Sequence, residues 1–128
     1  MAILLDTHIL LWALYEPERL PERVRTALEN PDTDVWFSAV SIWEVAIKQS
    51  LGRSDFTVSP HEVRAEALRL GFREAVVDGL QAAHVAALPP LHADPFDRLL
   101  VAQAQVSGRL LWSHDPWVTQ YPGPVEAV

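Results

Sequence analysis

Short strand-like segments alternate along this chain with stretches of helical periodicity. The strand-like segments are residues 2–5, 35–37, 72–77 and 109–112. The first of them, AILL, is continuously apolar, which is typical of a strand buried on both faces of a parallel sheet. The alternation therefore predicts an α/β fold with a central parallel sheet of four to five strands and helices on both faces. The C-terminal PGPVEAV is a candidate edge strand.

Apolar spacing and its stop signals predict helices between the strands. They cover residues 7–14, 21–29, 41–51, 60–70, 79–88 and 95–107. Gly52 and Gly71 suit the position just past a helix end, and Asp78 suits an N-cap. Ser59, with Glu62 three residues later, predicts a capping box. No repeat or linker interrupts the pattern, so we expect one domain over residues 1–128.

The segment HADPFDRLLVAQAQ, residues 92–105, places two carboxylates at the start of a helix. Asp94 is a natural N-cap, and Pro95 fits the first helical position, where its missing N–H costs nothing. Asp97 then heads an apolar stripe at helical spacing, formed by Leu100, Val101 and Ala104. Two interpretations stay open: the two acids serve only to cap the helix, or Asp97 also belongs to a functional site.

Three further acids follow predicted strands. Asp6 closes the first strand, Asp115 comes shortly after the fourth, and Glu44 lies in the first turn of the helix after the second. The carboxyl ends of strands border the ligand crevice of open α/β sheets, which places these acids for chemistry. The alternatives are structural: Asp6 and Asp115 as caps, and Glu44 in an ordinary exposed pair with Lys48 four residues on.

The composition excludes several classes of protein. The chain of 128 residues has no cysteine, which removes disulfides, thiolate zinc sites and thiol nucleophiles. Neither a signal peptide nor a membrane span fits the N-terminal AILLD, so we expect a cytoplasmic protein. A net charge of −7 argues against a free-standing nucleic-acid binder, although a nuclease that loads divalent cations is a partial exception.

Four acids gathered at one sheet edge would need cations, because carboxylates cannot all stay ionised in a poorly solvated space. Oxygen ligands suit hard ions, so Asp6, Glu44, Asp97 and Asp115 predict a Mg²⁺ or Mn²⁺ site for in-line phosphoryl chemistry. Histidines near these acids keep a mixed site for Mn²⁺ or Zn²⁺ open, with supporting or substrate-side roles as the alternative. They are His8, His92 and His114.

Four blocks of the sequence together resemble PIN-domain nucleases, specifically the VapC-like toxins of type II toxin-antitoxin pairs. The blocks are LLDTHILLWAL, SAVSIWEVAIKQSLG, LPPLHADPFDRLLVAQA and LLWSHDPWVTQY, of which the third is the most specific. The resemblance implies a PIN-like three-layer sandwich and carries the family's acidic quartet onto Asp6, Glu44, Asp97 and Asp115. The accessory candidates are Asp94, Thr7, Ser113, His114 and His92.

The same resemblance implies cleavage of RNA that depends on Mg²⁺ or Mn²⁺. It also implies a homodimer that a cognate antitoxin silences. The apolar side chains of Trp12 and Trp43 are candidate contacts for the dimer or the antitoxin, and burial in the core is the alternative. Two rival functions are a PIN-like interaction module that cuts nothing and a small metal-dependent phosphoesterase. Loss of one or more acids would mark the interaction module, and none of the four is missing from this sequence.

Overall fold

The predicted α/β sheet is confirmed as five parallel strands. The structure is a computed structural model that describes residues 2–54 and 56–128. The strands are β1 (Ala2–Leu5), β2 (Asp34–Ser38), β3 (Arg73–Ala75), β4 (Leu110–Ser113) and β5 (Val125–Ala127). They pair in the order β3-β2-β1-β4-β5, and every pairing is parallel. The C-terminal candidate is therefore an edge strand.

Helices occupy the segments between the strands. Within the described ranges they are α1 (Thr7–Tyr15), α2 (Glu22–Glu29), α3 (Ala39–Ser50), α4 (Pro60–Arg69), α5 (Gly79–His84) and α6 (Pro95–Ser107). Short 3₁₀ turns lie at Pro17–Arg19 and Val85–Ala87. In the part of the chain that the structure describes, no helix combines the length and apolar character needed to cross a bilayer.

Two apolar layers sandwich the sheet because strand side chains alternate between its faces. In β1, Ile3 and Leu5 join the core formed with α1, α2 and α4, whereas Leu4 joins the core formed with α6. In β4, Trp112 and Leu111 divide in the same way. The result is the predicted three-layer sandwich, in which the sheet supplies residues to both cores.

Two predicted elements are shorter than expected. The strand predicted at 72–77 ends at Ala75, because the carbonyls of Ala75 and Val76 face the fully buried Gln103 of α6, whose Nε2 lies 3.4 and 3.1 Å away. The helix predicted at 79–88 ends at His84 and continues as a 3₁₀ turn. There the carbonyl of Val85 accepts a hydrogen bond from Arg98 at 3.1 Å.

Helix caps account for the other differences. The predicted capping box of Ser59 with Glu62 is wrong, since Ser59 makes no side-chain cap hydrogen bond. A complete box forms one helix later, between Asp78 and Gln81. α3 begins at Ala39 rather than at residue 41, because the Ser38 hydroxyl accepts from the Val40 N–H at 3.0 Å.

The strand order creates a crevice beside β1. From β1 the chain builds β2 and β3 on one side and then returns to add β4 and β5 on the other. The connections leaving β1 and β4 therefore run in opposite directions, and ligands of open α/β sheets bind at such a switch point, outside the carboxyl ends of the strands. Asp6 directly follows β1, and Asp115 follows β4 by two residues.

We predict that Gly108→Ala destabilises the protein by about 1–2 kcal/mol. Gly108 ends α6 with φ of 76°, and its N–H donates to the Ala104 carbonyl at 2.8 Å. A Cβ meets no neighbour there, so the cost comes from the left-handed backbone alone. Urea unfolding measures it. Gly79→Ala is the control, because Gly79 has no positive φ and its substitution should leave stability unchanged or raise it. Equal effects of the two substitutions would contradict the argument.

Candidate active site

Asp6 lies at the carboxyl end of β1, buried between the sheet and the start of α1. Its backbone N–H donates to the Trp112 carbonyl at 3.1 Å, and its Oδ1 accepts from the Ile9 N–H at 2.9 Å. Burial raises the pKa of the Asp6 carboxyl, and a hydrogen bond with the Ser113 side chain partly opposes this rise. Asp6 is thus the N-cap of α1, and the cap leaves its Oδ2 out of the helix hydrogen bonding.

Glu44 lies in the second turn of α3 and is only 2% exposed. The Thr7 hydroxyl donates to Glu44 Oε1 at 2.6 Å and lies 2.9 Å from Ser41 Oγ. Glu44 Oε2 forms an ion pair with Lys48. Both carboxylate oxygens are therefore fixed in place by groups on α1 and α3.

The ordinary exposed pair suggested for Glu44 and Lys48 is not what the structure shows. The two residues do pair across one helical turn, but the side chain of Lys48 is only 15% exposed. Its ammonium lies 5.0 Å from the Phe56 ring centroid and 5.7 Å from that of Phe96. Removing water and surrounding the cation with aromatic rings strengthens the pairing.

Asp97 and His92 are in polar contact at the start of α6. Asp94 Oδ1 accepts from the Asp97 N–H at 3.0 Å, so Asp94 caps the helix as the sequence predicts. The Asp97 side chain does not return this cap; its Oδ2 lies 2.8 Å from His92 Nε2. Burial, followed by the charge of Asp94, raises the pKa of Asp97 to about 7, while the hydrogen bond with His92 lowers it.

Asp115 approaches the same histidine from the end of β4. Its Oδ2 lies 3.8 Å from His92 Nε2, and its side chain is 38% exposed. Its Oδ1 accepts from the Trp117 N–H at 2.8 Å, and its own N–H donates to Ser113 Oγ at 3.1 Å. His92 therefore lies between two of the candidate acids. Its backbone N–H donates a hydrogen bond to the Tyr121 hydroxyl oxygen at 3.0 Å.

A cavity of about 130 Å³ joins these side chains. It is lined by Asp6, Thr7, His8, Glu44, Lys48, His92, Asp94, Asp97 and Asp115. All four acids of the predicted quartet line it, with three of the accessory candidates. Ser113 is fully buried and contacts Asp6 and Asp115, whereas the exposed His114 lies outside this cavity and its Nδ1 faces the Val128 carbonyl at 2.8 Å.

The sequence reasoning did not assign Lys48 or Ser41 to the site. The i,i+4 spacing between Glu44 and Lys48 is common on exposed helix faces, so the sequence favours a surface position for Lys48. A usable signal was the helix pattern itself: Ser41, Glu44 and Lys48 recur at the spacing of a single helix face, on which Ser41 and Glu44 are buried.

The donor atoms suit a divalent cation. Across residues 2–54 and 56–128, one group of three ligating side chains has its atoms within 4.8 Å of one another, namely His92, Asp94 and Asp97. Carboxylate oxygens are the ligands of Mg²⁺ and Mn²⁺, and an added imidazole is more compatible with Mn²⁺ than with Mg²⁺. The remaining acids face the same cavity from β1, α3 and β4.

The solved structures that resemble this chain have low sequence identity to it. VapBC2 from Rickettsia felis, bound to a DNA fragment from its promoter, matches with a TM-score of 0.70 and 12% identity over 100% of this chain and 99% of that chain. DNA-bound VapBC from Salmonella typhimurium matches with a TM-score of 0.68 and 16% identity, over 99% of this chain and 98% of that chain. FitAcB from Neisseria gonorrhoeae matches with a TM-score of 0.53 and 23% identity, over 91% of this chain and 89% of that chain.

The TM-scores show a shared fold, and at identities below 25% these likenesses show the fold alone. A search of curated proteins finds no match to the sequence. The model of the PIN domain family, in contrast, matches residues 3–118, a span that runs from β1 past β4 and includes every acid of the cavity. The chain therefore belongs to the PIN-domain family.

Proposed function

We propose that this protein is a divalent-metal-dependent ribonuclease that hydrolyses phosphodiester bonds within RNA and acts as the toxin of a toxin-antitoxin pair. The observation that carries the proposal is the gathering of Asp6, Glu44, Asp97 and Asp115 around one water-accessible cavity. Asp6 and Asp115 follow β1 and β4, and Glu44 and Asp97 lie on α3 and α6. We assign them as the catalytic acids and the metal ligands.

The charge balance of the cavity supports a cation. Lys48 offsets the charge of Glu44, and among the described residues that line the cavity the other three acids and Asp94 face two imidazoles, those of His8 and His92. Burial, followed by the negative charge of Asp94, raises the pKa of Asp97, because both favour neutralisation of this carboxylate by a proton. A divalent cation would take over this neutralisation at neutral pH.

The residues that would hold the metal are the four acids, with Asp94 and His92 beside them. When bound, Mg²⁺ or Mn²⁺ would stabilise charge on the phosphate and lower the pKa of water. The protein supplies orientation: the Ile9 N–H fixes Asp6, the Trp117 N–H fixes Asp115, and Thr7 fixes Glu44. Such fixed carboxylates need little rearrangement on loading, which is the physical basis of a preorganised site.

The identity of the substrate and partners follows from the resemblance to VapC-like toxins. The resemblance implies RNA as substrate, a homodimer, a cognate antitoxin and a cytoplasmic location. The similarity to the VapBC and FitAcB structures supports a protein partner. On this chain, Trp43 is 51% exposed and shares one face of α3 with Ile47 and Leu51. We assign this apolar face to contact with the second protomer or the antitoxin.

We predict that Asp97→Asn lowers metal-dependent RNA cleavage by roughly 100-fold or more, as loss of one charge-stabilising group does in other active sites. Asp6→Asn should have the same effect, and its amide oxygen still caps α1. The assay follows a labelled RNA with Mg²⁺, Mn²⁺ or EDTA. Asp32→Asn, in an exposed loop, is the control. Full activity of the purified Asp6→Asn and Asp97→Asn proteins would contradict the assignment of these two residues as catalytic acids and metal ligands.

We predict that Mn²⁺ and Mg²⁺ raise the melting temperature of the protein, because a ligand that binds only the folded state stabilises it. At about 100 times the dissociation constant the gain is about 2.7 kcal/mol. Thermal unfolding of the parent and of Asp97→Asn, with each metal and with EDTA, measures this gain. The shift should be smaller in Asp97→Asn and unchanged in Asp32→Asn. If neither metal changes the melting temperature of the parent protein, the metal site is contradicted.

We predict that the metal-free protein loses stability as the pH rises from 5 to 8, and that Asp97→Asn loses less. The folded pKa of Asp97, about 7, exceeds the unfolded value of about 3.9, so the folded state holds the extra proton between these values. The stabilisation is complete at low pH and disappears as the pH passes about 7. Urea unfolding in EDTA at both pH values tests this, and equal pH dependence in the two proteins would contradict it.

A further inference from the structure

A second cavity, of about 300 Å³, adjoins the cavity of about 130 Å³ that the four acids line, which we call the acid cavity. It is lined by Asp6, His8, Trp12, His114, Asp115 and Pro116. Asp6, His8 and Asp115 line both cavities, so the two spaces meet at these side chains. A molecule with a phosphate at the acids has its neighbouring groups within reach of the second cavity, whose volume is at the lower end of small-ligand sites.

Aromatic rings form the wall of this second cavity. The Trp12 ring centroid lies 5.4 Å from that of His114 and 6.4 Å from that of His8, and both contacts are edge-to-face. The Arg19 guanidinium carbon lies 4.5 Å from the Trp12 centroid. His114 is itself held by the contact of its Nδ1 with the Val128 carbonyl. The indole of Trp12 is thus fixed at the cavity wall by its neighbours.

The charge of the protein limits how it can hold a nucleic acid. The net charge is −7, and at least six of the ten lysines and arginines pair with acids of the same chain. Attraction of the phosphate backbone to basic side chains, the usual source of affinity, is therefore weak here. Stacking of bases on aromatic rings does not depend on net charge, and it is tolerant of sequence.

We propose that this second cavity binds one unstacked nucleobase of the RNA, belonging to a nucleotide beside the phosphodiester bond that is cut. Trp12 is the stacking surface, and His8 and His114 border the base. The inference rests on the proposed ribonuclease function and names the part of the substrate that the site recognises. Because bases in a duplex are already stacked and paired, it requires the cut to lie in a single-stranded segment or loop.

The test compares kcat/KM for a single-stranded RNA with that for the same RNA lacking one base at successive positions around the cut. In the parent, one position next to the cut should lose about 5- to 150-fold, the range for one stacked base. Trp12→Leu should show a loss in the same range on the complete RNA, mainly in KM. Removing the base from the RNA should then cost the Trp12→Leu protein nothing further, because the two changes remove one contact.

The control is Tyr15→Leu, which removes an aromatic ring from the same helix but outside the second cavity, and it should cleave every RNA like the parent. Trp12→Phe should retain most of the activity because a ring remains. If Trp12→Leu melts at a much lower temperature than the parent, His114→Ala replaces it, since His114 is exposed and borders the same cavity. In His114→Ala, removing the base at the sensitive position should lower kcat/KM by a smaller factor than it does in the parent.

The outcomes separate this inference from the function on which it rests. No metal-dependent cleavage of RNA by the parent would overturn the ribonuclease proposal and this inference with it. Three results would overturn the base-binding cavity alone, provided that the parent cleaves RNA. They are additive losses from base removal and Trp12→Leu, no position at which base removal slows cleavage, and equal cleavage rates for single-stranded and duplex RNA. Unchanged RNA kinetics in Trp12→Leu, together with weaker binding of the purified antitoxin, would also overturn it and would indicate that the cavity holds a side chain of the antitoxin.

Discussion

Repulsion between carboxylates at one edge of the sheet is the constraint on which the rest of this structure depends. The parallel order of the strands brings Asp6 and Asp115 to neighbouring strand ends, and the helices add Glu44 and Asp97. Bringing like charges into a small, partly buried cavity opposes folding. Apolar packing on both faces of the sheet must therefore be strong enough to hold the acids together, and a bound cation would relieve the repulsion.

The protein lowers this repulsion with its own groups before any ion binds. Lys48 neutralises Glu44 among aromatic rings, and His92 lies between Asp97 and Asp115. Burial and then the negative charge of Asp94 nevertheless raise the pKa of Asp97, so this compensation is incomplete. An incompletely balanced acidic cavity has a physical reason to bind divalent cations, and such ions would offset part of the net charge of −7 in the proposed reaction on a phosphodiester.

Helix capping and site formation turn out to use the same residues. Asp6 caps α1, Asp94 caps α6, and Asp115 accepts from the Trp117 N–H, yet all three line the acid cavity. A carboxylate has two oxygens, so one can fix the backbone while the other faces the cavity. The sequence presented capping and function as alternatives for these acids. The structure makes capping the means by which the acids are oriented.

The sequence by itself determined the α/β pattern, the helix that starts at Asp94 and the position of each acid relative to a strand or helix end. These features depend on spacing within one element, which periodicity and turn chemistry record directly. Only the tertiary structure decided that Lys48 is buried, that β3 stops at Ala75 where Gln103 faces the carbonyls, and that His92 contacts two acids. Each of these depends on residues from separate elements, and nothing in local spacing specifies such a contact.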